Sequence, residues 1–191
     1  MEKSRRVARL KEKYNKCLEC EVLVKNRTNI VFGVGDPDTC KVVIIGEAPG
    51  MNEDIKMEPF VGRSGQILDS LLADIGLKRE GVYITNTILC RPPNNRNPNR
   101  GELNNCRKRL DMQIKLLDPR VVITLGNFAS RYMLDTNDGI TEIHGKAHEV
   151  NGVKIVPMFH PAVLLYSGNN PEKRKELLDD FMVVKGILSD R

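Results

Sequence analysis

Four β-branched residues, Val42, Val43, Ile44 and Ile45, run without interruption into the turn Gly46-Glu47-Ala48-Pro49-Gly50. An apolar run of that length, closed by Gly and Pro, predicts a strand buried on both faces that ends in a tight loop. Strands of this kind belong to parallel sheets covered by helices. Ligands of open α/β sheets bind just outside the carboxyl ends of such strands. Glu47 stands at that place, either as a cap for the next helix or as a group that does chemistry, and the rest of the chain has to decide between them.

The remaining pattern repeats the alternation. Residues 1–16 read as a basic helix, and 62–75 as a helix with Ile67, Leu68, Leu71, Leu72 and Ile75 on one face, stopped by Gly76. Residues 82–86 form a second strand. Residues 91–100 hold three prolines and four asparagines, so a long surface loop is expected there, and loops of that length are usually functional or disordered. A helix over 101–117, a buried strand over 121–125 and a short helix from 126 to 134 follow. Residues 140–150 and 153–159 flank Asn151-Gly152, a two-residue hairpin signal. The last strand ends at His160-Pro161, and Pro171 opens a terminal helix that buries Leu177, Leu178, Phe181, Val184 and Leu188. The expected architecture is one α/β domain over residues 1–191, three layers α/β/α around a mostly parallel sheet of about four strands.

No stretch approaches the ~18 apolar residues of a membrane helix, and the charged N-terminus is unlike a secretion signal. A cytoplasmic, nucleoid-associated location is expected. The net charge of +5 is unevenly spread, with seven Lys or Arg among the first sixteen residues and six more from Arg91 to Arg109. Clustered cations match a phosphate backbone, although charge alone is equally well explained by a solvated helix face. Five cysteines without a secretion signal point to metal binding rather than to a disulfide framework. Cys17-x2-Cys20 is a pincer to which Cys90 and Cys106 add two thiolates. The spacing suits zinc or a [4Fe-4S] cluster and does not choose between them. Four unrelated buried cysteines are the plain alternative, and Cys40 reads as a core or edge residue.

Read together, several segments resemble a known family. They are Gly46-Glu47-Ala48-Pro49-Gly50, Pro59-Phe60-Val61-Gly62-Arg63-Ser64-Gly65, Ile84-Thr85-Asn86, Cys90-Arg91-Pro92-Pro93 and His160-Pro161-Ala162. In that order, with the four cysteines, they are similar to the family 4 uracil-DNA glycosylases, the iron–sulfur group of archaea and thermophilic bacteria. The likeness spans residues 17–165. It implies a uracil-DNA glycosylase-like fold and a [4Fe-4S] cluster on Cys17, Cys20, Cys90 and Cys106. The implied activity is hydrolysis of the N-glycosidic bond of deoxyuridine in single- or double-stranded DNA, leaving an abasic site for base excision repair. The base must leave the stack to be reached.

On this resemblance Gly46 and Ala48 line the substrate, and Phe60 stacks on the flipped uracil. Asn86 reads the pyrimidine edge with its amide. His160 donates to the uracil O2 as charge develops on the leaving base. A better-known branch carries an aspartate where this chain has Ala48, so the reaction leans on a dissociative path in which Glu47 is the nearest carboxylate. Glu53 and Asp54 are weaker candidates, and His144 and His148 read as local contacts on the hairpin. No lysine stands where Schiff-base chemistry would need one, which implies a monofunctional enzyme. Arg91, Arg96 and Arg100, with Arg107, Lys108 and the first helix, are expected on phosphates. Leu164 or Leu165 is expected to wedge into the gap left by the base, and Tyr166 stands where many members carry Arg. A monomer is expected; a sliding-clamp contact would suit a repair enzyme, although no motif for it is evident. Competing readings are a broader glycosylase acting on hypoxanthine or on thymine opposite guanine, a catalytically silent iron–sulfur DNA-binding module, and a zinc-stapled phosphate hydrolase. The last lacks the Gly-Lys-Ser/Thr loop that such chemistry uses.

Overall fold

The computed structural model of the chain describes residues 2–190; residues 1 and 191, the ends of the expected domain, lie outside the described part. Its strands are β1 (Val42–Gly46), β2 (Tyr83–Asn86), β3 (Val121–Leu125), β4 (His148–Val150) and β5 (Val153–Met158). They form one sheet in the order β2-β1-β3-β5-β4, parallel except for the antiparallel pair β4–β5. The fifth strand corrects the expectation of about four. Asn151 (φ 51°) and Gly152 (φ 79°) make the hairpin turn that their sequence predicts, but the arm before it is short. Residues expected to extend it instead form a one-turn helix, α7 (Ile140–Ile143), whose Ile140 and Ile143 sit three apart and are both buried.

The strands alternate side chains between two cores. One face gathers Val42, Ile44, Ile84, Ile123 and Val156 under α4 (Arg63–Asp74) and the terminal helix α9 (Pro171–Ser189). The other gathers Val43, Ile45, Tyr83, Val122 and Ile155 under α1 (Glu2–Tyr14), α5 (Arg100–Leu117) and α6 (Asn127–Leu134). Burial on both faces explains why the strand sequences read as continuous apolar runs. Tyr83 belongs to this second core, and Cys40 is buried in it as well.

Helix α5 starts one residue before the expected boundary because Asn99 caps it. The Asn99 side chain accepts from the Glu102 N–H, and Glu102 accepts from the Asn99 N–H, a capping box. The first helix lies against α5, and Lys3 donates to the Leu117 carbonyl at 2.9 Å. Its N-terminal cations therefore stand near the amino end of β3, away from the carboxyl ends of the strands. Three short helices complete the described fold: α2 (Glu21–Asn26), α3 (Met51–Lys56) and α8 (Ala162–Tyr166).

Candidate active site

From β1 the chain passes outward to β2 on one side and later crosses back to β3 on the other, so the ends of these strands flank a topological switch point. The turns that leave β1 and β2 are laced together. Thr87 N–H donates to the Gly46 carbonyl at 2.9 Å, and both the Thr87 hydroxyl (2.5 Å) and the Ile88 N–H (3.4 Å) donate to the Glu47 carbonyl. Gly46 pairs directly with Asn86 across the two strands. A side chain at Gly46 would collide with Asn86 Oδ1 and come within 2.7 Å of the Phe60 ring. Glycine here lets the asparagine and the aromatic meet over the strand end.

Phe60 is held in a left-handed conformation (φ 54°). Behind it, a Cβ at Gly65 would run into the Phe60 carbonyl. In front, Glu53 accepts from the Val61 and Gly62 N–H groups, each at 3.0 Å, which fixes the loop. Asp54 is buried and accepts from the Thr28 and Asn29 N–H groups. These two carboxylates, weaker candidates in the sequence, are thus occupied by backbone. Among the described residues the Glu47 carboxylate has no such partner.

The result is a cleft of about 650 Å³ at the carboxyl ends of the parallel strands, lined by Glu47, Ala48, Phe60, Asn86 and His160 among others. Asn86 is only 2% exposed, and its side-chain amide is committed to no other side chain or backbone group among the described residues. Burial pushes the Glu47 carboxyl up to about 7. Burial likewise pushes His160 down to about 4, with only the Glu53 charge opposing it. The His160 Nδ1 accepts from the Ala162 N–H at 3.2 Å, so a neutral ring carries its proton on Nε2. The rings of His160 and Phe60 stack with centroids 5.7 Å apart and planes at 27°. An acid tuned to neutrality, a neutral N–H donor, a free amide and an aromatic face therefore converge on one cavity. That set suits a planar polar heterocycle whose bonds are to be polarised.

The model of the uracil DNA glycosylase superfamily matches residues 32–182. The type-4 uracil-DNA glycosylase of Archaeoglobus fulgidus is 43% identical over 86% of this chain and 84% of its own length. That of Thermotoga maritima is 40% identical over 93% of this chain and 92% of its own, and that of Saccharolobus solfataricus 42% over 94% and 85%. The chain belongs to the type-4 uracil-DNA glycosylase family.

Other expected family positions fare differently. Leu164 is 1% exposed and packs in the first core, a position that suits structure rather than a wedge. Within the one-turn α8 the neighbouring Leu165 is half-buried, while Tyr166 is 89% exposed at the rim of the cleft. Arg96 lines the cleft but is gripped by Glu102 through two bonds of 2.9 and 2.6 Å. Arg91 donates to Asn95 Oδ1 at 2.8 Å, and Arg100 opens α5 in solvent. The loop that bears them is not featureless. It makes a 3-10 turn at Pro93–Asn95 and presents Asn95 and Asn97 to the cleft, residues that composition marked only as loop formers. His144, read as a hairpin contact, lies before the hairpin and binds Asp180. His148 does lie in the hairpin, with its Nε2 buried and unbonded.

The four cysteines gather in one corner, none of them in the cleft. The Cys20 thiol feels Cys106 and Cys17, and the Cys90 thiol feels Cys106 and Cys17. Burial pushes Cys90 up to about 11 and raises Cys20 as well. All are free thiols, and among the described residues no three ligand side chains close around a single metal ion. Hydrogen-bond donors nevertheless point at the sulfurs. Arg27 Nη1 reaches Cys90 Sγ at 2.9 Å, and Asn105 Nδ2 reaches Cys20 Sγ at 3.3 Å.

Proposed function

We propose that this chain releases uracil from DNA by hydrolysing the N-glycosidic bond of deoxyuridine, leaving an abasic site. The observation that carries the reading is the combination, in one cleft, of an uncommitted Asn86 amide, a neutral His160 with its proton on Nε2, and a Glu47 carboxyl tuned to about 7. Asn86 can donate to one carbonyl and accept from the ring N–H of uracil, a pattern that cytosine reverses. Phe60 offers the stacking face for the base once it has left the duplex. As the bond to the sugar stretches, negative charge grows on the base, and the His160 Nε2–H stabilises it without needing a proton from solvent. Positive charge grows on the sugar, and ionised Glu47 lies on the cleft wall to stabilise it and to orient the late-arriving water. Ala48 places no acid or base at its position, so Glu47 carries this part alone.

The partner is uracil-containing DNA, with Arg91 and Arg100 on phosphates and Tyr166, with half-buried Leu165, filling the place of the departed base. The chain acts as a monomer, within one domain, in the cytoplasm where the DNA is. Among the described residues no helix is long and apolar enough to cross a membrane.

For the cysteine corner, the reading is a [4Fe-4S] cluster held by Cys17, Cys20, Cys90 and Cys106. Four soft sulfur donors, side-chain donors aimed at two of them, and a buried guanidinium with an unpartnered Nε beside a third suit a bulky anionic group better than one small ion. When bound, the cluster supplies a charged cross-link between the loop after α1, the loop after β2 and α5. The reading is tested by base release from oligonucleotides carrying one uracil, hypoxanthine or mismatched thymine. Release of uracil alone is expected; equal release of hypoxanthine would favour the broader glycosylase, and no release at all the silent binding module.

A further inference from the structure

Arg109 is 0% exposed and is the largest fully buried side chain among the described residues. No carboxylate among the described residues pairs with it. Its Nη2 donates to the carbonyls of Asn86 (3.0 Å) and Thr87 (2.8 Å), and its Nη1 donates to Gln113 Oε1 at 2.8 Å. Its Nε is buried and bonds to nothing among the described residues. A buried cation whose hydrogen bonds all go to neutral acceptors is costly unless an anion lies close by. The Cys106 thiol lies one turn back on the same face of α5, where a charge on it would be felt by the guanidinium. As a free thiol, Cys106 offers no charge. As a cluster ligand it is a thiolate, and three more thiolates stand behind it.

We propose that Arg109 is the positioning residue that joins the cysteine corner to the base-reading cleft. With negative charge on the sulfurs, the guanidinium is neutralised on one side and clamps the end of β2 on the other. That clamp fixes the backbone from which the Asn86 amide projects. The cluster thereby sharpens recognition of uracil without touching it. The inference rests on the reading of the cleft as a uracil site and of the corner as a cluster site.

The test compares three iron-loaded variants with the unmutated holoenzyme. Arg109→Lys keeps the charge but cannot grip two carbonyls and the Gln113 side chain together. Arg27→Gln removes a donor to Cys90 Sγ from a residue that does not touch β2. Gln113→Leu leaves Arg109 in place but takes away its Nη1 acceptor, and serves if the lysine variant does not fold. Iron per chain, the rate of loss of visible absorbance under oxidant and chelator, and inhibition of excision by free uracil are measured on each. Arg109→Lys is expected to keep its iron while inhibition by free uracil weakens roughly tenfold and the substrate KM rises in step. Gln113→Leu is expected to shift both in the same direction by a smaller factor. Arg27→Gln is expected to hasten bleaching with uracil inhibition unchanged. Unchanged uracil inhibition in Arg109→Lys, or in Gln113→Leu if the first is insoluble, overturns the proposal. Equal weakening in Arg27→Gln overturns it too, since any disturbance of the corner would then do. If the unmutated protein carries no iron or releases no uracil, it is the underlying reading that has failed.

Discussion

Two histidines of this chain sit in similar half-buried surroundings and are wired in opposite ways. His144 is held at both ring nitrogens, with Nδ1 at 2.9 Å from Asp180 Oδ1 and Nε2 at 3.4 Å from Glu176 Oε1, and its ring packs on Phe159 at 4.5 Å. His160 gives only Nδ1 to the protein, and Glu47 in the same cleft has no partner. In the first corner each polar group is satisfied, and the contact pins α9 to the segment after α7. In the cleft, burial is paid without return, which makes sense only if a ligand supplies the missing partners. Residue type does not separate function from structure here; the state of the hydrogen bonds does.

The comparison is broken most severely by exchanging partners. Glu47→Gln and His160→Ala should each lower single-turnover uracil release about 100- to 1,000-fold without lowering the melting temperature. In Asp180→Asn the order should reverse. Removing the charge that His144 faces should cost on the order of 1–3 kcal/mol of stability, read as a lowered urea midpoint, with excision per folded molecule nearly intact. A collapse of stability in Glu47→Gln would show that the cleft is wired like the other corner.

The wedge gives the next contrast. Leu164→Ala should cost about 2–5 kcal/mol as a core cavity and impair single- and double-stranded substrates alike. Tyr166→Ala should leave stability unchanged and slow excision only on duplex DNA, by a few-fold. The smallest effect concerns pH. Burial raises Glu47 from its usual value to about 7, so between roughly pH 4.5 and pH 7 the folded state holds a proton that the unfolded state has lost. This group's contribution to stability therefore falls as pH rises through that window. His160, lowered to about 4, works the other way between roughly pH 4 and pH 6.5, where stability from this group rises with pH. Glu47→Gln should abolish only the first trend and flatten the rise of excision around pH 7.

What the sequence made legible follows the same division. The β1 run and its turn could be read because the signal is contiguous, and the family resemblance could single out Phe60, Asn86 and His160, which line the cleft, because each sits in a short motif. Long-range partners could not be read. Glu53 and Glu47 look alike in the chain, and only the amides of Val61 and Gly62 make one structural. Arg109 counted as one more cation of a basic stretch, although it lies at the centre of the molecule. Leu164 and Leu165 differ by one position, and the orientation of a five-residue helix decides which is core. The Asp180 partner of His144 lies 36 residues away.

The most direct measurement is uracil release from a defined oligonucleotide under single-turnover conditions, by the protein as purified and by Asn86→Ala. The account predicts rapid release by the first and near-silence from the second, with unchanged DNA binding and melting temperature. Release by both at similar rates would contradict Asn86 as the reader of the base, and salt-dependent DNA binding with no release by either would contradict the enzyme.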